Sequence, residues 1–177
     1  ERRTAMNALQ RSFAGRVTAV LSMAAVVFVL ALPAAAGEYE SALKGVKGVQ
    51  AVFDVRQGNP KVSNVIFWAV KNVYEDETVK ALAEKPQLAI VFHGPAVKLI
   101  STDRGAFKGE ELAEVEKFHE TLRQMKKDGV KLEVCLYAAK VMGVDPAAIL
   151  PEIDRVGNGF ISVIGYQNRG YAVVRVP

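Results

Sequence analysis

The feature that most constrains this chain is the regular alternation, after its first 36 residues, of short apolar runs with stretches whose apolar residues recur every three or four positions. "VQAVFDV" (49–55) is rich in β-branched residues and stops at the turn signal "QGNP". From Pro60 onward, Val62, Val65, Ile66, Ala69, Val70 and Val73 follow the spacing of one helix face. "LAIVFHG" (88–94) is a continuous apolar run of the kind found in a strand buried on both faces. "GEELAEVEKFHETLRQMKKDG" then sets Leu112, Val115, Phe118, Leu122 and Met125 on one stripe. Acids crowd its start, Lys126 and Lys127 its end, and Gly129 supplies the stop, which completes the signature of a helix. "VKLEVCL" (130–136) predicts a third strand and "YAAKVMG" a short helix closed by Gly143. "DPAAILPEIDRVG" predicts another short helix, with Asp145 as N-cap and Pro146 at its first position. "GFISVIGYQNRGYAVVRV" (159–176) predicts one or two final strands broken around "YQNRG".

Strands separated by helices pair in parallel through right-handed crossovers, so the expected fold class is α/β: a three-layer α/β/α sandwich with a mainly parallel sheet, flavodoxin-like. In such sheets the functional crevice lies beyond the carboxyl ends of the strands. Cys135 and the His93-Gly94 pair both fall at that edge.

The net charge of +4 invites a nucleic-acid reading, which its distribution removes. Four arginines and one acid precede Gly37, leaving 19 basic against 18 acidic residues in the rest, so no nucleic-acid partner is expected. Arg11 and Arg16 instead introduce the apolar run "VTAVLSMAAVVFVLALP" (17–33), followed by Ala34-Ala35-Ala36. Basic, apolar and small residues in that order predict a Sec-type signal peptide over 1–36, cleaved after Ala36, and a periodic domain over 37–177. The expected location is periplasmic or secreted, with membrane contact only through the signal segment. A run of about 17 apolar residues is also at the lower limit of a membrane span, so retention as an anchor is the alternative.

An oxidising compartment pairs cysteines, and Cys135 has no second cysteine in the chain to pair with. At the carboxyl end of a parallel strand and just before a helix, its sulfur would face the unpaired N–H groups that open that helix, a position that favours a thiolate. Such a thiol suits attack on sulfur, although a free cysteine is also a common space-filling core residue. His93 is a candidate helper to it, as proton acceptor or cationic neighbour; the alternative is a neutral histidine bonded to a loop carbonyl. His119, within the helix and beside Phe118 on the buried stripe, is expected at the boundary between core and solvent.

No metal site is expected, since one cysteine and two histidines in unrelated elements provide no ligand pair at a recognised spacing. No G-x-S-x-G elbow is present. "GPAVKLISTDRGAFKG" (94–109) has glycines and cations but neither phosphate-binding pattern, so no cofactor is expected there; its length predicts a lid over the crevice or a subunit contact. Trp68 falls off the main stripe of the first helix and is expected either at an oligomer contact or packed on that helix.

The segment "LEVCLYAAKVMGV" (132–144) resembles the cysteine segment of the DsrE family of small sulfur-relay proteins, with its DsrE/DsrF-like and TusD/YchN-like members. There a strand ends in cysteine and runs into a short helix with a Gly-hydrophobic close, here Cys135 through Gly143-Val144. "LAIVFHG" resembles the family's second strand and "GYAVVRVP" its last, in the same order. The resemblance spans nearly all of 50–177. It implies a homotrimer or homohexamer in which Cys135 carries sulfane sulfur as a persulfide, received from and passed to thiol or persulfide partner proteins. The export signal departs from the cytoplasmic setting of the relay members. A non-catalytic binding or assembly module of the cell envelope, with Cys135 merely structural, is the alternative.

Overall fold

A computed structural model describes residues 39–177; the segment read as a signal peptide lies outside them. The chain divides between Ala36 and Gly37, and all the described residues belong to the second unit. In chain order the elements are α1 (Glu40–Leu43), β1 (Gln50–Val55), α2 (Pro60–Glu75), α3 (Glu77–Lys80), β2 (Gln87–Phe92), α4 (Ala96–Leu99), α5 (Glu111–Lys127), β3 (Lys131–Cys135), α6 (Leu136–Val141), a 3-10 turn (Pro146–Ala148), β4 (Asp154–Val156), α7 (Gly159–Asn168) and β5 (Ala172–Val176). The strands form one parallel sheet in the order β4-β3-β2-β1-β5. The three-layer α/β class is the one observed.

The sheet order explains the layers. From β1 to β4 the chain steps across the sheet in one direction, and for β5 it returns to the opposite edge. Crossovers of constant hand that reverse direction must lie on opposite faces. Accordingly α2, α4 and α5 bury Phe67, Val70, Leu99, Val115, Phe118, Leu122 and Met125 against Phe53, Ile90, Phe92, Leu132 and Val134 on one face. On the other, α7 sets Tyr166 against Val52, Ala89 and Val91, with Tyr171 just before β5. Because side chains alternate along a strand, Asp54, His93, Glu133 and Cys135 belong to the α7 face.

Local chemistry sets the element ends. Asn59 caps α2, its side chain accepting the Val62 N–H, and Pro60 takes the first helical position, where no N–H is needed. The lysines and Gly129, with φ +94°, close α5 as expected.

Three expectations are corrected. The segment 159–168 is helical rather than extended: its β-branched residues read as strand, but Asn158 caps it by accepting the Phe160 N–H, and Val163 and Tyr166, three apart, meet the sheet. The segment 145–157 holds only a 3-10 turn with Asp145 at its cap, followed by β4. Pro151 bars the helical conformation at Leu150, so that helix cannot continue. His119 is fully buried rather than at a boundary, with Nε2 facing the Leu99 carbonyl at 2.5 Å.

The loop 94–109 is not a lid. It begins with α4, whose Ala96, Val97 and Leu99 are buried along with Ile100, and Ser101 bridges to Ile149. Trp68 does not pack on its helix; it is 75 % exposed. Among the described residues no helix is long and apolar enough to cross a membrane.

Candidate functional site

Three neighbouring strands, β1, β2 and β3, end side by side and deliver Asp54, His93 and Cys135 to the same face of the sheet edge. Cys135 is the last residue of β3 and the N-cap of α6, and its Sγ accepts the Ala138 N–H at 3.4 Å. The expected strand-to-helix placement of the thiol is therefore observed. It is 4 % exposed, at the floor of a cavity of about 410 Å³ that opens between α6 and the start of α7. Pro95, Ala138, Val141, Met142 and Phe160 give that cavity apolar walls, and Arg56 and His93 complete its polar side.

His93 follows β2 and is equally buried. Its ring stacks on Phe160, centroids 5.1 Å apart and planes 21° off parallel. Nε2 lies 3.3 Å from Asp54 Oδ1, an ion-pair distance, but its N–H is not aimed along that line, and neither atom has a hydrogen-bond partner among the described residues. Burial pushes the imidazole below its ordinary value; Asp54 acts against this and Arg56 with it. The ring is therefore neutral near pH 7.

Gly159, the first residue of α7, is the piece that joins the two strand ends. A methyl placed on it would lie far inside van der Waals contact with His93 Cε1, 3.0 Å from His93 Nδ1 and 2.9 Å from Cys135 Cβ. Only a hydrogen fits there, and this close approach lets the α7 backbone seal the gap between imidazole and thiol. Tyr137 N–H donates to the Gly157 carbonyl and ties α6 to the same turn.

Sequence reading brought forward Cys135 and His93, and the fold brings them together across Gly159. It passed over Asp54, Arg56, Gly159 and Phe160. A signal for Asp54 was present, since it is the one charged residue inside the apolar run of β1, at the functional end. Among the described residues no group of three or more His, Cys, Asp or Glu side chains could hold a metal ion.

Two buried, neutral histidines make stability depend on pH. Burial also lowers His119, its Leu99 hydrogen bond acting against this and Arg104 with it. Both depressed histidines bind fewer protons folded than unfolded, so their contribution is complete above the unfolded value near 6.5 and is lost as pH falls through 6.5 toward the folded values. Urea unfolding at about pH 7.5 and 5.5 should show lower stability at the acid value, and His119→Gln should flatten the difference. An unchanged slope in that variant would contradict this assignment.

The fold is a parallel α/β/α sandwich with a thiol at a strand-to-helix junction, and comparison narrows its class. The model of the DsrE/DsrF-like family matches residues 70–176, and the chain belongs to this family. No curated protein matches. Among solved structures the chain is similar to the protein of unknown function MTH1491 from Methanobacterium thermoautotrophicum, at 19 % identity over 72 % of this chain and 98 % of that one, with a TM-score of 0.54. It is also similar to the ychN protein from E. coli, at 15 % identity over 72 % and 99 % of the two chains, with a TM-score of 0.48. The first likeness speaks for the fold.

Proposed function

We propose that this is an exported member of its family that carries sulfane sulfur as a persulfide on Cys135. The observation that carries the reading is the placement of the chain's one thiol at the floor of an apolar-walled cavity, its sulfur accepting the Ala138 N–H, beside a buried neutral imidazole. Cys135 attacks the outer sulfur of a persulfide or polysulfide, holds it, and yields it to an acceptor thiol by the same exchange. His93 lines the same cavity and is the candidate proton acceptor for the thiol. Export is the reading that the basic, apolar and small residues of 1–36 support, and it implies work in the periplasm or outside the cell.

Carriage requires release as well as loading. Protein loaded with polysulfide, desalted and given an excess of acceptor thiol should lose the added sulfur and return to its starting mass, with the sulfur recovered on the acceptor. An adduct that persists, or none at all, would overturn the carrier reading.

A second reading, a non-catalytic assembly module, is favoured by the exposed apolar residues Phe160, Ile161 and Ile164 on α7 and Val173 and Val174 on the edge strand β5. The same surface supports a homotrimer or homohexamer under either reading. Light scattering of the mature protein distinguishes an oligomer from a monomer, and sulfur loading then separates the readings.

A further inference from the structure

Arg56 follows β1 and is the one charged side chain among those lining the Cys135 cavity. Its guanidinium is fixed twice, by Asp54 Oδ2 at 3.4 Å from Nη2 and by the face of Phe160, whose centroid is 5.6 Å from Cζ. Nε is nevertheless buried without a hydrogen-bond partner among the described residues, and so is Nε2 of His93, a side chain only 4 % exposed. The side chain is 37 % exposed, so the guanidinium N–H groups not turned to Asp54 are open to an anionic acceptor, and a carboxylate matches their geometry.

Arg56 and Cys135 are separated by the whole of β2, which puts their backbones about 10 Å apart, two strand spacings. An inorganic sulfur chain bonding at Cys135 would leave the guanidinium unmet. His93 stands between them and the other walls are mainly apolar, so the two ends suit a ligand with an anionic group at one end, a short organic stem, and sulfur at the other. The cavity's size is in the range that takes a small organic molecule, and the thiol on it is only 4 % exposed.

We infer that the sulfur donor is the persulfide of a small carboxylate-bearing thiol, with Arg56 binding the carboxylate; this rests on the sulfur-carrier reading of Cys135. The Cys135 thiolate attacks the outer sulfur of R–S–SH. A bond forms between Sγ and that sulfur, the donor S–S bond breaks, and the electron pair leaves on R–S⁻. The proton lost by the Cys135 thiol balances the one the departing thiolate takes up, and no net oxidation occurs.

The test uses two donors of matched length, the persulfides of 3-mercaptopropionate and of 3-mercaptopropanol. Loading of the mature protein is followed by intact mass, each rate normalised to that of an unstructured single-cysteine peptide. Native protein should load the carboxylate donor about tenfold or more faster than the neutral one, the loss expected when a charge-assisted hydrogen bond is missing. In Arg56→Gln the ratio should fall toward one, and Arg56→Lys should restore part of it. An unfolded chain would react like the reference peptide and also give a ratio of one, so the ratio is read only in variants that keep the native thermal unfolding transition. A native ratio of one, or a ratio kept in Arg56→Gln, overturns the inference while the carrier reading stands. Failure of both donors to load native Cys135 overturns the carrier reading with it.

Discussion

Replacing Gly159 by alanine should both destabilise the protein and cripple its thiol. The added methyl would lie 2.9 Å from Cys135 Cβ and closer still to His93 Cε1. Neither neighbour can simply swing aside. A Cβ moves only with its backbone, here the last residue of β3 paired with Val156 of β4. The imidazole is caught between Phe160 and Asp54. Relief therefore requires α7 to lift from the sheet edge, and overpacking of this kind costs about 1–3 kcal/mol. For a domain of this size that is a fall in Tm of several degrees. The larger effect is on reactivity, because lifting α7 opens the seal between imidazole and thiol. Thermal unfolding and sulfur loading should both fall in Gly159→Ala; a variant with native Tm and native loading would show that the α7 start is not part of the site.

Phe118→Ala should give a large loss of stability without touching the site. Phe118 is fully buried in α5, edge-on to Phe67 at 4.7 Å between centroids and to Phe92 at 6.4 Å. Phe67 comes from α2 and Phe92 from β2, so this ring joins two helices to the sheet. Its removal forfeits the transfer energy of the ring, two aromatic contacts, and the packing around the space left behind, about 3–5 kcal/mol together. Against a total stability of about 5–15 kcal/mol, that leaves a folded but fragile protein. Chemical denaturation should show the midpoint fall at constant slope. A loss below about 1 kcal/mol would mean that the core closes over the gap at little cost.

How far the sequence reaches can be seen residue by residue. The strands ending at Val55, Phe92 and Cys135 were legible because each is a continuous apolar run closed by a turn residue or helix start. Those runs also place Cys135 and His93 at one edge, since a parallel sheet aligns its strand ends. The α7 segment was not legible as a helix. Phe160, Ile161, Val163 and Ile164 are apolar on nearly every side, which removes the periodicity that separates helix from strand, and only Asn158 announces the cap. That one misreading hid Gly159 and Phe160, because the site is closed by a helix from the far side of the topology. Asp54 and Arg56 were hidden for a different reason. Their relation to His93 depends on the register of β1 against β2, Asp54 opposite Val91 and Val55 opposite Phe92, which local patterning does not specify.

Sulfur carriage requires that Cys135 take up sulfur in the folded protein. The measurement that tests this most directly is intact-mass spectrometry of the mature chain after brief exposure to polysulfide, run beside Cys135→Ser. The expected result is a gain of one sulfur, about 32 Da, in the native protein and none in the variant. No gain in the native protein, with a thiol that alkylates only after unfolding, would contradict it and make Cys135 a core residue.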